Sequence, residues 1–112
     1  MIETIIVEYL ESKIDSGVYA EIPEKKPESF VVVEKTSGSK VNHIKGAVVA
    51  VQAYAGSLFE AAELNEKVKN AMEQMAEDVP DVCSVKLNSD YNYTDTRMKK
   101  YRYQAVFDVK YY

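Results

Sequence analysis

The residues able to do chemistry in this sequence are few and scattered. The single histidine, His43, has no second His or Cys near it and cannot build a multi-histidine metal site. It follows a loop-like stretch and precedes a run of strand character, where a solvated imidazole is the better reading than a catalytic base. The single cysteine, Cys83, cannot form an internal disulfide. It alternates with Val85 and Leu87, which reads as a buried, inert thiol. Gly38-Ser39-Lys40 carries residue types found at the end of a phosphate-binding loop, but Ser39 interrupts the Gly-Lys pair. Position 33 is Val where a Gly is needed, and a strand follows instead of a helix. Glu60, Glu63, Glu66, Glu73 and Glu77 read as a solvated helix face, since paired catalytic carboxylates need a pocket. Arg97, Lys99, Lys100 and Arg102 form the only positive cluster. It reads as a soluble hairpin tip or as an electrostatic contact with an acidic partner or DNA phosphate. Four such charges steer contact without conferring sequence specificity.

Bulk properties narrow the classes further. The chain has 112 residues and a mass of 12.7 kDa, which is the size of one domain. A net charge of -4 and a pI near 5.0 argue against a dedicated nucleic-acid-binding domain. No run approaches the roughly 18 apolar residues that a membrane-spanning helix requires. The first residues, Met1 to Glu8, carry acids where a signal peptide needs a basic region, so a cytoplasmic origin is expected.

The elements that must position these groups are readable from periodicity. Ile2, Ile5, Ile6, Tyr9, Leu10 and Ile14 recur at helical spacing, and Gly17 is the expected stop. Val18–Ile22 is a short strand candidate. Pro23 and Pro27 bracket a charged connection that must be a turn or an edge, because proline donates no ladder hydrogen bond. Phe30–Val33 reads as a buried strand, Thr36–Lys40 as a loop, and Ile44–Tyr54 as a central strand with apolar residues on both faces. Ser57 and Glu60 have capping-box spacing at the start of a second helix. Its apolar stripe is Ala61, Leu64, Val68, Ala71, Met72 and Met75. Two alternating runs, from Cys83 to Tyr93 and from Tyr101 to Tyr111, flank a polar loop and predict an antiparallel hairpin. The fold class expected is α+β, order α-β-β-β-α-β-β, with two helices on a mainly antiparallel sheet of four or five strands.

Tyrosine is the compositional anomaly: six of nine lie in the last 22 residues. Tyr91, Tyr93, Tyr101 and Tyr103 share the apolar phase of the hairpin, which predicts cross-strand core packing. Tyr112 breaks that phase. A strand that runs to Tyr111 and Tyr112 predicts an open, association-prone C-terminal edge suited to an interface, where tyrosine is favoured.

The layout resembles the tail terminator and tail-completion proteins of long-tailed bacteriophages. The resemblance is carried by the N-terminal helix, Val18–Pro23, Pro27–Thr36, the small-residue loop Ser37-Gly38-Ser39, Ala47–Ala55 leading into Ala61–Leu64, and Tyr103–Val109. It spans nearly the whole chain. Ser37-Gly38-Ser39 stands where the family pattern expects a second Gly. The resemblance implies a non-enzymatic hexameric ring on the head-proximal end of the tail tube, part of the virion and made in the bacterial host cytoplasm. Such a ring ends tube polymerisation, contacts the tail tube protein and the head connector, and lets DNA pass without sequence recognition. No catalytic, cofactor or metal-binding residue follows from it. The expected subunit interface is Tyr111, Tyr112, Pro23 and Pro27, because a ring needs two different patches on each subunit. Arg97, Lys99, Lys100 and Arg102 are expected to face a neighbouring ring or the DNA channel. A head-completion or neck connector subunit is the alternative within the same virion. A small ligand-binding or catalytic domain using His43 and nearby acids is the alternative outside it, and requires a concave pocket around His43.

Overall fold

A computed structural model describes residues 1–98 and 100–112; Lys99 lies outside the described residues. The elements run α1 (Ile2–Lys13), β1 (Gly17–Tyr19), β2 (Phe30–Val41), β3 (Ile44–Ala55), α2 (Leu58–Asp78), β4 (Val82–Asn92) and β5 (Tyr101–Tyr111). The sheet order is β1-β2-β3-β5-β4. Every pair is antiparallel except β1 with β2. This is the expected α+β order. Strands of eleven or twelve residues make the molecule long, 44 × 25 × 24 Å.

Both helices pack on one face of the sheet. The apolar stripe of α1 buries Ile2, Ile6, Tyr9 and Leu10, and that of α2 buries Ala61, Leu64, Val68, Ala71, Met72 and Met75. They meet the inward residues of the strands, chiefly Val31, Val33, Val49, Val51, Ala105, Phe107 and Val109. Ser57 caps α2 by accepting the Glu60 amide at 3.2 Å. Carboxylates at the end of α2 oppose its dipole, and α1 answers them. The Tyr9 hydroxyl donates to Asp78 at 2.8 Å, and Lys13 lies 3.5 Å from the same oxygen.

Four local expectations are corrected. First, α1 ends at Ile14, whose amide bonds Leu10, and Gly17 instead begins β1. That strand stops at Tyr19, short of Ile22. Second, Thr36–Lys40 is strand, not loop. β2 continues to Val41, and the chain reverses at Asn42-His43, whose φ angles are 49° and 68°. Two left-handed residues match the twist of a two-residue hairpin. Third, β5 is not an edge. It lies between β3 and β4, and Tyr111 is buried in the core.

The fourth correction concerns strand parity. β4 carries two bulges, at Cys83 and at Asn88. Each extra residue moves the side chains after it to the other face. Val82 and Val85 therefore both face the core side, with Cys83 half-buried between them. Leu87 keeps the predicted face but sits at the sheet edge, 48% exposed. Beyond Asn88 the alternation inverts. Asp90 turns toward α2, and Tyr91 and Tyr93 turn away from it and are exposed. Asp90 accepts from Asn65 Nδ2 and from Lys69 Nζ, each at 2.6 Å, which ties the edge strand to the helix. The Asp90 bond, then Glu66 at 2.7 Å, raises the Lys69 ammonium above its ordinary pKa. A third bulge, at Thr36 in β2, inverts the parity of that strand's outer half.

Two predictions test these local readings. A non-Gly residue in the left-handed region costs on the order of 1 kcal/mol. His43→Gly is therefore expected to raise stability by about 0.5 kcal/mol after the glycine's own entropy is discounted. Urea unfolding measures this; a loss of stability contradicts the turn assignment.

Burial, then the Asp78 contact, pushes the Tyr9 phenol up to about 12 from its ordinary 10.0. Because the folded value is raised, its contribution is complete below pH 10 and is lost as pH climbs through 12. Tyr9→Phe is expected to cost about 1 kcal/mol at neutral pH. It should also flatten the alkaline fall in stability relative to the parent chain, and pH-dependent urea unfolding reads both effects.

Candidate interaction surface

Among the described residues, no helix packs on the second face of the sheet. Because β3 and β5 are central, its side chains form rows across the strands. The first row is Phe30, Tyr54 and Arg102, continued by Tyr93. The second is Val32, Gln52, Gln104 and Tyr91, and the third Glu34, Ala50, Val106 and Ser89. Past the β2 bulge come Ser37, Val48, Asp108 and Lys86, then Ser39, Gly46, Lys110 and Ser84.

The first two rows form one connected network. Phe30 and Tyr54 stack with centroids 4.5 Å apart and planes within 7°. Tyr19 meets Phe30 edge-on at 6.3 Å. The Arg102 guanidinium lies 4.2 Å over the Tyr93 ring and 5.7 Å from that of Tyr54. It donates Nε–H to the Tyr93 carbonyl at 2.6 Å and Nη1–H to the Tyr54 hydroxyl at 2.9 Å. That hydroxyl donates to Gln52 Oε1 at 3.2 Å, Gln52 Nε2 donates to Gln104 Oε1 at 2.8 Å, and Gln104 Nε2 donates to the Tyr91 hydroxyl. Arginine suits the hub, because its planar fork donates in several directions while its faces stack on rings.

At the first-row end, the connection between β1 and β2 folds over the sheet. It encloses a recess of about 260 Å³ lined by Lys26, Pro27, Phe30, Tyr54, Lys100 and Arg102, among others. Two separate predictions from sequence meet here: Pro27 from the expected interface, and Lys100 and Arg102 from the basic cluster. Arg97 is exposed on the tight turn whose amides bond Asp95, and is not part of the recess. Pro23 is half-buried nearby in the chain but does not line it. Lys99 is outside the described residues.

The two terminal tyrosines of the expected interface lie apart from the recess. Tyr111 is a core residue at the opposite end of β5, roughly 33 Å of strand from Tyr101. Tyr112 is 66% exposed, with its amide bonded to the Asp81 carbonyl at 2.9 Å. Contact with Cys83 raises the pKa of the Tyr112 hydroxyl. His43 is exposed on its turn; the adjacent recess of about 220 Å³ is lined by its neighbours Asn42 and Ile44, with Val41, Lys45 and Lys110.

Sequence reasoning missed Tyr54, Gln52, Gln104 and Tyr91 as a network. Their even spacing on β3 and β5 was available, but the Asn88 bulge hid the phase of Tyr91. The surface offers fixed donors, acceptors and ring faces, which is equipment for contact with another molecule. No family model matches the chain, and no curated protein matches it in sequence. Among the described residues, no helix is long and apolar enough to cross a membrane.

Arg102→Met is expected to destabilise the fold by about 1–3 kcal/mol, since it removes charged hydrogen bonds and ring stacking. Arg97→Met is expected to stay within about 0.5 kcal/mol of the parent. Urea unfolding followed by tyrosine fluorescence separates the two; equal small effects would deny Arg102 its role as hub.

Proposed function

We propose that this chain is a structural subunit of a long-tailed phage or prophage. It caps the head-proximal end of the tail tube as a hexameric ring, ends tube growth and joins tail to head. The observation that carries this reading is the open sheet face. A chain of this size covers one side of its sheet with helices and finishes the other with exposed tyrosines, amides and a fixed arginine. Such a face suits a neighbouring protein surface better than water alone. The family resemblance supplies the identity of the neighbours: copies of the chain, the tail tube protein and the head connector. Tyr111 no longer supports the reading, because removing it would damage the core. Pro27, Lys100 and Arg102 replace it as the residues nearest a contact.

The deciding experiment is deletion of the gene from its phage, with electron microscopy of the lysate. Overlong or headless tails are expected. Full heads that lose DNA with normal tails would instead favour the neck-connector reading, and normal virions would overturn both.

A further inference from the structure

Two features remain unexplained by the folding of one chain. The first is the outer face of α2. Phe59, Glu63, Glu66, Asn70, Glu73 and Glu77 follow one another at intervals of four and three, so they form a single stripe along the helix. All six are exposed, and Phe59 at its head is 73% exposed. The stripe spans about 27 Å at 1.5 Å per residue.

The second is the set of cations on the open face. Lys26, Lys100 and Arg102 line the recess at the first row together with Glu28 and Asp95, and Lys86 and Lys110 flank Asp108 in the last two rows, so cations outnumber carboxylates at both ends. Among the described residues, none of these five has a carboxylate in salt-bridge contact. Lys26 and Lys100 approach one another closely enough that Lys100 lowers the pKa of Lys26. With Lys26, Lys100 and Arg102 against Glu28 and Asp95, the mouth of the recess keeps a net positive charge, which suits an anionic partner. From Tyr54 in the first row to Gly46 in the last is about 26 Å of strand.

The two surfaces match in length, in charge and in polarity. Ser57 follows directly from the first-row end of β3, so Phe59 stands at that end of the molecule. Asp78 leads within a few residues to Val82, which pairs with Tyr111 at the last-row end, so Glu77 stands there. The stripe lies on the helical side of the sheet and the cations on the other. A second copy stacked in the same direction therefore brings ring to recess and acids to cations without being turned round.

From this juxtaposition we propose that the outer stripe of α2 docks across the open sheet face of the next copy. Phe59 enters the recess onto Phe30 and Tyr54. Glu63 meets Lys26 and Lys100, and Glu73 and Glu77 meet Lys86 and Lys110. The contact joins two different patches, so it is heterologous and leads to a ring when the rotation closes. Every subunit then points the same way along the axis. The inference deepens the ring reading and rests on it for closure, but the contact itself is testable apart from it.

The experiment uses the purified chain in a Cys83→Ser background, with Phe59→Cys in one variant and Pro27→Cys in another. Mild oxidation of the mixture is expected to give at least tenfold more covalent dimer than either variant alone. It should also exceed by tenfold a control mixture of Phe59→Cys with His43→Cys, which sits at the far end of the sheet. No enrichment over the control overturns the contact. So does self-dimerisation of Phe59→Cys, which indicates a symmetric helix–helix contact, or a preference for His43→Cys, which indicates reversed polarity. Electron microscopy of tail tubes mixed with the parent chain separates this from the ring reading. Rings without the cross-link overturn only the contact, whereas cross-linked open chains with no ring at the tube end keep the contact and overturn the capping function.

Discussion

The structure depends on one constraint: two helices can cover only one face of a five-stranded sheet. The covered face behaves as an ordinary core, dry and apolar, with Phe107 at its centre and the stripes of α1 and α2 above it. The other face has no second layer to exclude water. It cannot be apolar throughout without becoming a large sticky patch, and it cannot be wholly charged without losing cohesion between long strands. The solution is graded. Phe30, Val32, Ala50 and Tyr54 are buried there by one another and by the chain between β1 and β2. Around them the Gln52–Gln104–Tyr91 relay and the Arg102 fork satisfy polar groups within the sheet. A face built this way is stable in water yet still presents ring faces and, among the described residues, cations outside any salt bridge.

The Asn88 bulge is what divides the tyrosines of the last strands between the two faces. Without the extra residue, Tyr91 would lie under α2, where Asp90 now binds Asn65 and Lys69. A charged triad holding an edge strand to a helix costs desolvation, and Asn65 still has a buried carbonyl oxygen without a partner. The gain is on the other side, where Tyr91 completes the amide relay and stands edge-on to Tyr93 at 5.8 Å. The bulge thus links the packing of α2 to the composition of the open face.

Much of this was readable from the chain and some was not, for definite reasons. α1 and α2 showed themselves because their burial is periodic at 3.6 residues, and the buried positions of α2 are the predicted stripe with only Asn65 added. The centrality of β3 was visible in apolar residues on both its faces. The bulges were invisible, since Thr36, Cys83 and Asn88 carry no side-chain signature for an inserted residue. The hairpin at Asn42-His43 was hidden because His lacks the freedom that makes Asn-Gly recognisable. The position of β5 was misread because a terminal strand suggests an edge, whereas its pairing on both sides comes from long-range partners that no local pattern encodes. Pro27, Lys100 and Arg102 were each singled out, but only the fold places them around one recess.

The free edges bear on how such a molecule associates. β4 is an outer strand, yet its two bulges break the regular ladder that another strand would need. The outer half of β2 carries its own bulge and the sequence Lys35-Thr36-Ser37-Gly38-Ser39-Lys40, which is polar, lysine-flanked and poor in apolar anchors. Both of these long edges therefore resist strand addition, and the third free edge, β1, is only three residues long. The exposed face carries no comparable defence: its upper rows are aromatic, and among the described residues its cations have no carboxylate in salt-bridge contact. Edge pairing would extend sheets without limit and without a fixed angle, as fibres do. Face-to-helix packing instead fixes the angle between subunits through side-chain fit, which is the condition for a closed assembly of defined number. In this chain the long edges are closed to pairing by bulges and polar residues, while one sheet face is left open to packing.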